Sequence, residues 1–402
     1  MTVPYRRPSR RRIGRIVTAA ITGFTVLAAA AISWPALAEP SGDLQLGVTH
    51  TERSIDDWGA PDSIAAAKQI LADIGPLQNQ HLMGWGTLNP WPDPESAQRN
   101  WETLDTRIDL IRDTGGTAVL TLCTAPGWMK PGGGRDEDDD GEDDMDWEME
   151  APVAPEHYDD FAQLAAETAQ RYQDVKYFQI WNEFKGFWND DQNRWDYEGF
   201  TTFYNTVYEA VKEVRPDAVI GGPYAPMVTY QDDGRHPSAV GGDWGVVDHR
   251  VLDAVEYWLD NNVGADFFTL DGAAQTSDGS WYPTTTDQVT DKFQAITEWV
   301  AERTDLPIWW SEFYVELRPD SSASTPEMIE AALIGMEQGG AEVALWWQPE
   351  CSSTGSFPCL WTSVQQPAGG QPTPFTPWPG PTRTGDRARW FGPPVRGGAW
   401  LA

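Results

Sequence analysis

Eight short apolar runs recur along the chain, most of them separated by segments with helical periodicity. Their starts lie roughly 30 to 60 residues apart, and each run has the length of a buried strand. Buried strands that alternate with helices predict a parallel sheet covered on both faces, and eight such units predict a (β/α)8 barrel. The runs are LQLGVTH (44–50), LQNQHLMGW (77–85), TAVLTLC (117–123), VKYFQIW (175–181), AVIGG (218–222), ADFFTL (265–270), LPIWWSE (306–312) and AEVALWW (341–347).

Seven segments between the runs have a helical pattern, at 61–75, 100–116, 155–172, 197–216, 244–262, 286–304 and 324–340. In the second of them, Trp101, Leu104, Ile108 and Ile111 share one stripe. An open doubly wound sheet is the alternative, but it normally needs fewer units, and its usual Gly-rich phosphate fingerprint is missing. We therefore predict an α/β fold, a single TIM barrel, over residues 39–365.

Two segments depart from the repeating pattern. The loop at 124–155 contains Asp136, Asp138 and Asp140 at the spacing that opens an EF-hand, although Trp147 stands where that motif has Glu. Ca²⁺ binding is one interpretation and a solvated run of charge is the other; no other metal or cofactor is expected. The Pro/Gly-rich tail, 366–402, lies where a last barrel helix belongs, and we expect it to pack on the barrel or to trail from it.

Residues 1–38 have the features of a secretory signal peptide: six arginines, an apolar stretch and Ala36-Leu37-Ala38 as a cleavage site. A transmembrane anchor is the alternative, and Ser9-Arg10-Arg11 suggests twin-arginine export. The leader holds six of the 28 basic and none of the 61 acidic residues, which leaves a mature net charge of −39 (22 basic, 61 acidic). Such a charge repels nucleic acid and anionic lipid. We expect a secreted monomer that binds carbohydrate and binds neither nucleic acid nor, once the leader is cleaved, a membrane.

Cysteine and tryptophan add two expectations. Cys351 and Cys359 bracket a short Gly/Ser/Pro loop, which in a secreted chain predicts a disulfide, whereas Cys123 is expected to be a buried thiol outside any disulfide. The chain has 22 tryptophans, many of them beside Gly, Pro or Asp. Indoles near carboxylates are typical of sugar-binding clefts, because the apolar face of a pyranose stacks on an aromatic ring.

Two predicted strands end on a glutamate. The fourth ends in Trp181-Asn182-Glu183 and the seventh in Trp310-Ser311-Glu312. The active site of such a barrel lies at the C-terminal ends of its strands, so the two side chains are expected to converge over the axis. A pair of carboxylates facing a tryptophan-lined cleft is typical of glycoside hydrolysis, with one protonating the leaving oxygen and the other attacking the anomeric carbon.

The motifs IWNEF (180–184) and WWSEF (309–313) resemble the signature of the clan A glycoside hydrolases. The elements AP-GWMK (125–130), the FW and Y-x-x-Y elements after the fourth strand, and IGGPYAP (220–226) are similar to family 39, the β-xylosidase and iduronidase group. The resemblance covers roughly 44–350. It implies a barrel that hydrolyses β-glycosides with retention, in which Glu183 is the acid/base, Glu312 is the nucleophile and Asn182 binds the sugar 2-hydroxyl.

The sequence also departs from that pattern. Phe184 stands where relatives carry proline, and the His-x-Tyr that often follows the sixth strand is missing, which leaves Tyr282 as the candidate contact for the nucleophile. Further candidates for sugar contacts are His50, His81, Trp128, Trp188, Trp281, Trp346 and Trp347. Core packing or scaffold hydrogen bonding is the alternative for each of these side chains. Glu316 and Glu350 are cleft residues or, preferably, solvated loop acids.

The sequence therefore favours a secreted retaining β-glycosidase that acts on a polysaccharide or its oligomers. Two alternatives stay open. One is a degenerate barrel that binds carbohydrate without turnover, and the other is a transglycosylase.

Overall fold

The structure is a computed structural model, and it describes residues 44–51, 54–55, 59–74, 77–132, 151–235, 237–315, 325–352 and 358–377. The predicted leader, the acidic residues Asp136, Asp138 and Asp140, and Glu316 lie outside the described residues, so the interpretations of these segments stay predictions. No helix within the described ranges is both long enough and apolar enough to cross a membrane.

Eight parallel strands close into a barrel, and each is hydrogen-bonded to its neighbours in chain order, with the first pairing the last. All eight predicted strands are confirmed, and the (β/α)8 prediction with them. The strands are β1 (Gln45–Thr49), β2 (Leu77–His81), β3 (Thr117–Leu122), β4 (Tyr177–Ile180), β5 (Val219–Pro226), β6 (Phe267–Ala273), β7 (Ile308–Tyr314) and β8 (Ala341–Trp347).

Within the described residues, seven α-helices follow the strands, as predicted: α1 (Pro61–Ile74), α2 (Glu102–Asp113), α3 (Tyr158–Arg171), α4 (Tyr197–Val214), α5 (His249–Asn261), α6 (Thr286–Ala301) and α7 (Pro326–Gly339). Side-chain caps fix several starts; Asp196 accepts a hydrogen bond from Gly199 N, and Asp248 accepts one from Arg250 N. The helix predicted from residue 244 begins only at His249, because Gly245–Val247 forms a short strand that pairs with Thr229–Tyr230. Helix α7 ends at Gly339 and is capped by Gly340, whose φ of 99° suits glycine.

The barrel interior is layered. At the N-terminal ends of the strands lies an apolar layer of Leu77, Val119, Phe267, Trp309, Val343 and Leu345. Above it lies a closed ring of hydrogen bonds that joins residues of five strands. Four of the bonds are between side chains: Asn79 donates to Thr49 Oγ1 (3.2 Å), Thr121 to Asn79 Oδ1 (2.8 Å), Gln179 to Thr121 Oγ1 (3.1 Å), and Ser311 to Gln179 Oε1. The fifth runs from the Thr49 hydroxyl to the backbone carbonyl of Ser311 (2.7 Å). Each buried polar group in this ring has a partner, so the ring holds the strands in register directly beneath the site.

The described residues after β8, 348–352 and 358–377, pack on the barrel without forming a helix. Backbone hydrogen bonds tie Ala60 to Val364 and Thr362 to Gln371, which brings this segment against the start of α1. The described part of the tail, 366–377, therefore packs on the fold. The disulfide Cys351–Cys359 is present, as predicted, with its Cα atoms 5.0 Å apart. Cys123 is buried and takes no part in a disulfide, as expected.

Candidate active site

Irregular pairing turns two side chains toward the barrel axis. Between β6 and β7, Leu270 pairs with Trp310 and Asp271 pairs with Glu312, which leaves Ser311 as an extra residue in β7. Between β6 and β5, Thr269 pairs with Pro223 and Leu270 pairs with Ala225, so Tyr224 is the extra residue in β5. A β-bulge redirects side chains that strict alternation would send to the other face. Here the two bulges bring Tyr224 and Glu312 together inside the barrel mouth.

The Glu312 carboxylate is buried and held by three donors. Tyr224 Oη donates to Oε1 at 2.5 Å, Tyr314 Oη donates to Oε2, and Asn182 Nδ2 lies 3.4 Å from Oε1. Glu312 itself is only 2% exposed. Donors on both oxygens fix the plane of the carboxylate and stabilise its ionised form.

Two opposing effects act on the pKa of Glu312. Burial, followed by the charge of Glu183, raises it above the usual range for a glutamate, whereas the hydroxyls of Tyr224 and Tyr314 oppose the rise. Burial and the charge of Glu312 in turn raise the pKa of both tyrosines well above 10, so both stay protonated donors at neutral pH. The charge on Glu312 is therefore sensitive to the protonation of Glu183.

Glu183 lies in a turn rather than in a strand. Strand β4 ends at Ile180, and Trp181, Glu183 and Phe184 have φ of 66°, 52° and 55°. A non-glycine residue in this left-handed region costs energy, and a cluster of them is typical of functional sites. The surrounding core over-determines the turn, because Trp181 and Phe184 are buried and Trp181 Nε1 donates to the carbonyl of Lys185 at 2.9 Å.

The Glu183 carboxylate reaches the open cleft. Its side chain is 22% exposed, and Lys185 Nζ lies 3.1 Å from Oε2. Glu183 therefore combines access to solvent with a positive neighbour. Glu312 has neither feature to the same degree.

Asn182, in the turn after β4, also contacts His81 at the end of β2. Asn182 Nδ2 lies 3.1 Å from His81 Nε2, and His81 stacks on Trp85 with ring centroids 4.1 Å apart. Burial, with a smaller effect of the Lys185 charge, lowers the pKa of His81 to about 3, so the ring is neutral and its Nε2 accepts from the amide. Asn182 Oδ1 is buried with no hydrogen-bond partner among the described residues and is free to accept from a ligand hydroxyl.

A third acid, Asp271, lies beside Glu183. It sits near the end of β6, is 5% exposed, and lines the same cleft as Glu183. Burial, followed by the charge of Glu183, raises the pKa of Asp271 well above its usual value. The site is thus a cluster of three acids and one lysine.

A cleft of about 610 Å³ opens over these groups. Its acidic and basic lining includes Glu183, Asp271 and Lys185, and its aromatic lining includes Trp188, Trp195 and Tyr314. The two indoles pack edge to face on a short hairpin, with ring centroids 5.2 Å apart and ring planes 86° apart. This volume suits a ligand of one or a few sugar rings, and the aromatic wall suits the apolar face of a pyranose.

Several predicted site residues lie elsewhere. His50 is fully buried and contacts Gln78 Oε1 at 3.2 Å, so the structure does not bring it to the cleft. Trp128 packs between Trp91 and His157, with centroids 5.0 and 5.3 Å away. For both side chains the structure agrees with the scaffold alternative.

Of the predicted tryptophans after β6 and in β8, Trp347 faces the barrel mouth, whereas Trp281 and Trp346 pack against the core. Trp281 is half-buried against the core, and Tyr282 lies in its own loop near Gly279. The tyrosines that donate to Glu312 are Tyr224 and Tyr314, so the prediction of Tyr282 in that position is not supported. Trp346 packs outward on Phe313 with centroids 5.5 Å apart. Its neighbour Trp347 points into the barrel mouth, where its ring lies 6.2 Å from that of Tyr314.

Glu350 is neither a cleft residue nor a solvated acid. It is 2% exposed and accepts hydrogen bonds from Ile55 N (2.7 Å), Val364 N (2.9 Å) and Trp361 Nε1 (3.1 Å). The expectation of a solvated loop carboxylate is wrong, because this carboxylate ties the loop after β1 to the segment after β8.

Sequence reasoning missed Tyr224, Tyr314, Asp271 and Trp195. Two of them carried a readable signal. Asp271 directly follows the sixth apolar run, where the strand-end rule applies to aspartate as well as to glutamate. Tyr314 stands two residues after Glu312, on the same strand face. Among the described residues, no group of three or more His, Cys, Asp or Glu side chains has an arrangement that would hold a metal ion.

Comparisons with known proteins agree on the fold. No family model matches the chain, and no curated protein matches its sequence. A monomeric β-xylosidase from Caulobacter crescentus CB15 superposes with a TM-score of 0.53 at 15% identity, over 81% of this chain and 66% of that one. A GH39 enzyme from Xanthomonas axonopodis pv. citri gives 0.50 at 16% identity, over 77% and 58% of the two chains.

A psychrophilic glycoside hydrolase family 10 endo-β-1,4-xylanase gives a TM-score of 0.50 at 17% identity, over 81% of this chain and 94% of that one. The chain thus spans less than two thirds of the length of either protein, 66% of the xylosidase and 58% of the GH39 enzyme. At these identities the likeness concerns the fold. The chain shares the (β/α)8 barrel of glycoside hydrolases from several families.

Proposed function

We propose that the protein is a retaining β-glycoside hydrolase with Glu312 as nucleophile and Glu183 as acid/base. One observation carries the proposal: Glu183 lines the cleft, and Glu312 lies buried beside it, bonded to Tyr314 of the same cleft wall, although 129 residues separate the two glutamates in the chain. Two carboxyl groups facing a sugar-sized cleft are what this chemistry requires. The resemblance of IWNEF and WWSEF to clan A motifs supports the same roles, and family 39 is the proposed affiliation.

The environment of Glu312 suits a nucleophile. Three donors orient its carboxylate, and the hydroxyls of Tyr224 and Tyr314 oppose the rise in its pKa that burial causes. The ionised form attacks the anomeric carbon to give a glycosyl-enzyme. A fixed carboxylate loses little freedom on reaching the reacting geometry. The leaving oxygen departs with a proton from Glu183.

The environment of Glu183 suits an acid/base. Its exposure to the cleft lets the carboxyl reach both a leaving-group oxygen and an incoming water. In the second half of the reaction, Glu183 accepts the proton of that water while the bond between Glu312 and the sugar breaks. The donated proton is thereby returned, and each carboxyl ends in the state in which it began.

The proposed substrate is a β-linked polysaccharide or its oligomers. Asn182 Oδ1 is buried and has no hydrogen-bond partner among the described residues, which supports its proposed role as acceptor of a hydrogen bond from the sugar 2-hydroxyl. Trp188, Trp195 and Tyr314 line the cleft and are the proposed faces for stacking. The β-xylosidase and endo-β-1,4-xylanase among the fold neighbours act on glycans of this kind, as their names state. We propose export by the leader, residues 1–38, to meet such a substrate outside the cell.

The test is a screen of the purified chain starting at Glu39 against aryl β-glycosides and soluble β-glycans. We expect turnover of at least one aryl β-glycoside, with Glu183→Gln and Glu312→Gln each nearly inactive. Near-wild-type hydrolysis by either variant contradicts the proposal. Binding without turnover by the wild type indicates the degenerate carbohydrate-binding barrel, and glycosyl transfer to a sugar in preference to water indicates the transglycosylase.

A further inference from the structure

We propose that the open cleft is the subsite for the leaving group, and that it takes a neutral sugar residue of a β-glycan; this assignment rests on the proposed function. Glu183, the proposed acid, lines the cleft, whereas Glu312 and Asn182 are not among the residues that line it. The acid protonates the oxygen between the anomeric carbon and the leaving group, so the leaving group lies on the acid's side of that carbon. The open volume lies on the same side.

The cleft occupies one side of the barrel mouth. Its lining comes from the segment after β4, from the ends of β5 and β6 with the residues that follow them, and from Tyr314 in β7. Asn182, the proposed contact for the other sugar, instead lies 3.1 Å from His81 at the end of β2. Glu312 contacts a residue of each side, Asn182 at 3.4 Å and Tyr314. The nucleophile therefore lies at the boundary between the two sides.

A short hairpin after β4 supplies the groups of a sugar subsite. It pairs Trp188–Asn189 with Arg194–Trp195, and both indoles line the cleft together with Asp190. Asp190 is exposed, and its Oδ1 accepts from Trp188 Nε1 at 3.1 Å, which holds the carboxylate beside the indole. An indole suits the apolar face of a pyranose, and a carboxylate accepts hydrogen bonds from its hydroxyls.

Contacts with the rest of the fold hold this hairpin in place. The guanidinium of Arg250 in α5 lies over the Trp188 ring, 4.6 Å from its centroid, and donates to Asn193 Oδ1 at 3.0 Å. On the other strand, Trp195 packs on Phe184, the residue after the proposed acid, with ring centroids 5.7 Å apart. The hairpin is thus a fixed surface joined to the turn of the acid, so a sugar that binds there orders few side chains.

The charges of the cleft favour a neutral sugar. Three carboxyl groups line it, those of Glu183, Asp190 and Asp271, and Lys185 is its one basic residue in the part of the chain that the structure describes. Lys185 Nζ lies 3.1 Å from Glu183 Oε2, so its charge is paired. A uronic acid would bring a further negative charge to this acidic surface, whereas a neutral pyranose brings none.

The kinetic test compares two substrates that carry the same sugar on the nucleophile's side. One is the neutral β-linked disaccharide, whose leaving sugar fills the subsite, and the other is the β-glycosyl fluoride, whose leaving group is a single atom. Trp188→Ala should lower kcat/KM about 10-fold or more for the disaccharide and less than about threefold for the fluoride. Equal losses for the two substrates overturn the proposal.

Asp190→Asn tests the charge, with an exposed side chain whose replacement does not endanger the fold. At low salt it should raise kcat/KM for a leaving uronic acid at least about threefold relative to a neutral leaving sugar. The matched control is Asp191→Asn, which removes the same charge one residue further on, outside the lining of the cleft, and should leave that ratio unchanged. An unmoved ratio for Asp190→Asn, or equal changes in both variants, overturns the preference for a neutral sugar.

A second measurement does not depend on turnover. Titration calorimetry of Glu312→Gln with the β-1,4-linked tetrasaccharides of xylose, glucose and mannose should give a Kd for at least one of them. Adding Trp188→Ala should weaken that Kd about 10-fold or more. Adding Trp101→Ala, which removes a half-buried indole that packs on Tyr172 at the start of α2, should leave it unchanged.

The outcomes of this titration separate the subsite from the proposed function. Binding of none of the three tetrasaccharides, or a Kd that Trp188→Ala leaves unchanged, overturns the subsite even for a protein that hydrolyses glycosides. Binding that depends on Trp188 in a wild-type protein that hydrolyses no glycoside supports a sugar site on the hairpin and defeats only the proposed function.

Discussion

The ends of β4 and β7 have related sequences and different structures. Both run through a buried tryptophan and one polar residue to a glutamate, as Trp181-Asn182-Glu183 and Trp310-Ser311-Glu312. Strand β4 stops before its tryptophan and enters a left-handed turn, whereas β7 continues through the motif to Tyr314 with Ser311 as an extra residue. One glutamate is consequently a turn residue and the other a strand residue.

This difference divides the proposed roles. A bulged strand residue surrounded by donors is immobile and buried, which suits a group that attacks one carbon along one line. A turn residue at the cleft wall is accessible, which suits a group that exchanges protons with a leaving group and with water. The backbone, more than the side-chain type, separates nucleophile from acid.

The largest expected effect comes from removing the strand residue. Glu312→Ala should lower kcat/KM by at least about 10⁴-fold for every leaving group, because no covalent intermediate forms without it. Added azide should restore turnover and give the glycosyl azide with inverted configuration, since azide then attacks from the vacated face. A glycosyl azide of retained configuration would instead mean that Glu312 is the acid/base and Glu183 the nucleophile.

Removing the turn residue should give a smaller and more selective loss. Glu183→Gln should lower kcat/KM by about 10²- to 10⁴-fold for poor leaving groups and much less for activated ones, because only the former need an acid. Rates for a series of aryl glycosides measure this dependence. A uniform loss across the series would contradict an acid role for Glu183.

The backbone of the turn can be tested separately. Phe184 has a φ of 55°, whereas proline requires about −65°, so Phe184→Pro should cost roughly 3 kcal/mol of stability and displace Glu183. Thermal unfolding and the aryl glycoside series measure the two effects. Phe184→Leu, which keeps an apolar side chain and a free φ, is the control. Full activity and stability in the proline variant would show that the turn does not place the acid.

The smallest effect concerns the donors to Glu312. Tyr224→Phe removes one hydroxyl, so the pKa of Glu312 should rise further and kcat/KM should fall roughly 10- to 100-fold, as expected for a hydrogen bond to a charged group. Glu312 acts when ionised, and activity is lost below its pKa, so the acidic limb should move to higher pH. An unmoved acidic limb in the pH profile of Tyr224→Phe would mean that the hydroxyl does not tune Glu312.

The sequence predicted the barrel and both glutamates because apolar periodicity and strand ends are local properties of the chain. The partners of Glu312 are not local. Nothing in IGGPYAP or WWSEF reveals an extra residue in β5 or β7, because a bulge depends on the register between strands. Tyr282 was therefore expected beside the nucleophile, and Tyr224 and Tyr314 are found there.

The tryptophans show that composition and neighbouring residues do not identify which side chains line the cleft. An indole next to Gly or Asp predicts a loop position, yet Trp128 packs against Trp91 and His157, whereas Trp188 lines the cleft. The two residues differ in which loop faces the barrel mouth, a property that only the closed sheet determines. The same holds for Trp346 and Trp347, which alternate across one strand so that only Trp347 faces inward.

The most direct test of the central claim is to trap the intermediate. The aryl 2-deoxy-2-fluoro-β-glycoside of the best-turned-over sugar should react once, and peptide mass spectrometry should place the sugar on Glu312. A sugar on Glu183 or Asp271, or an inverted product with no covalent adduct, would contradict the account.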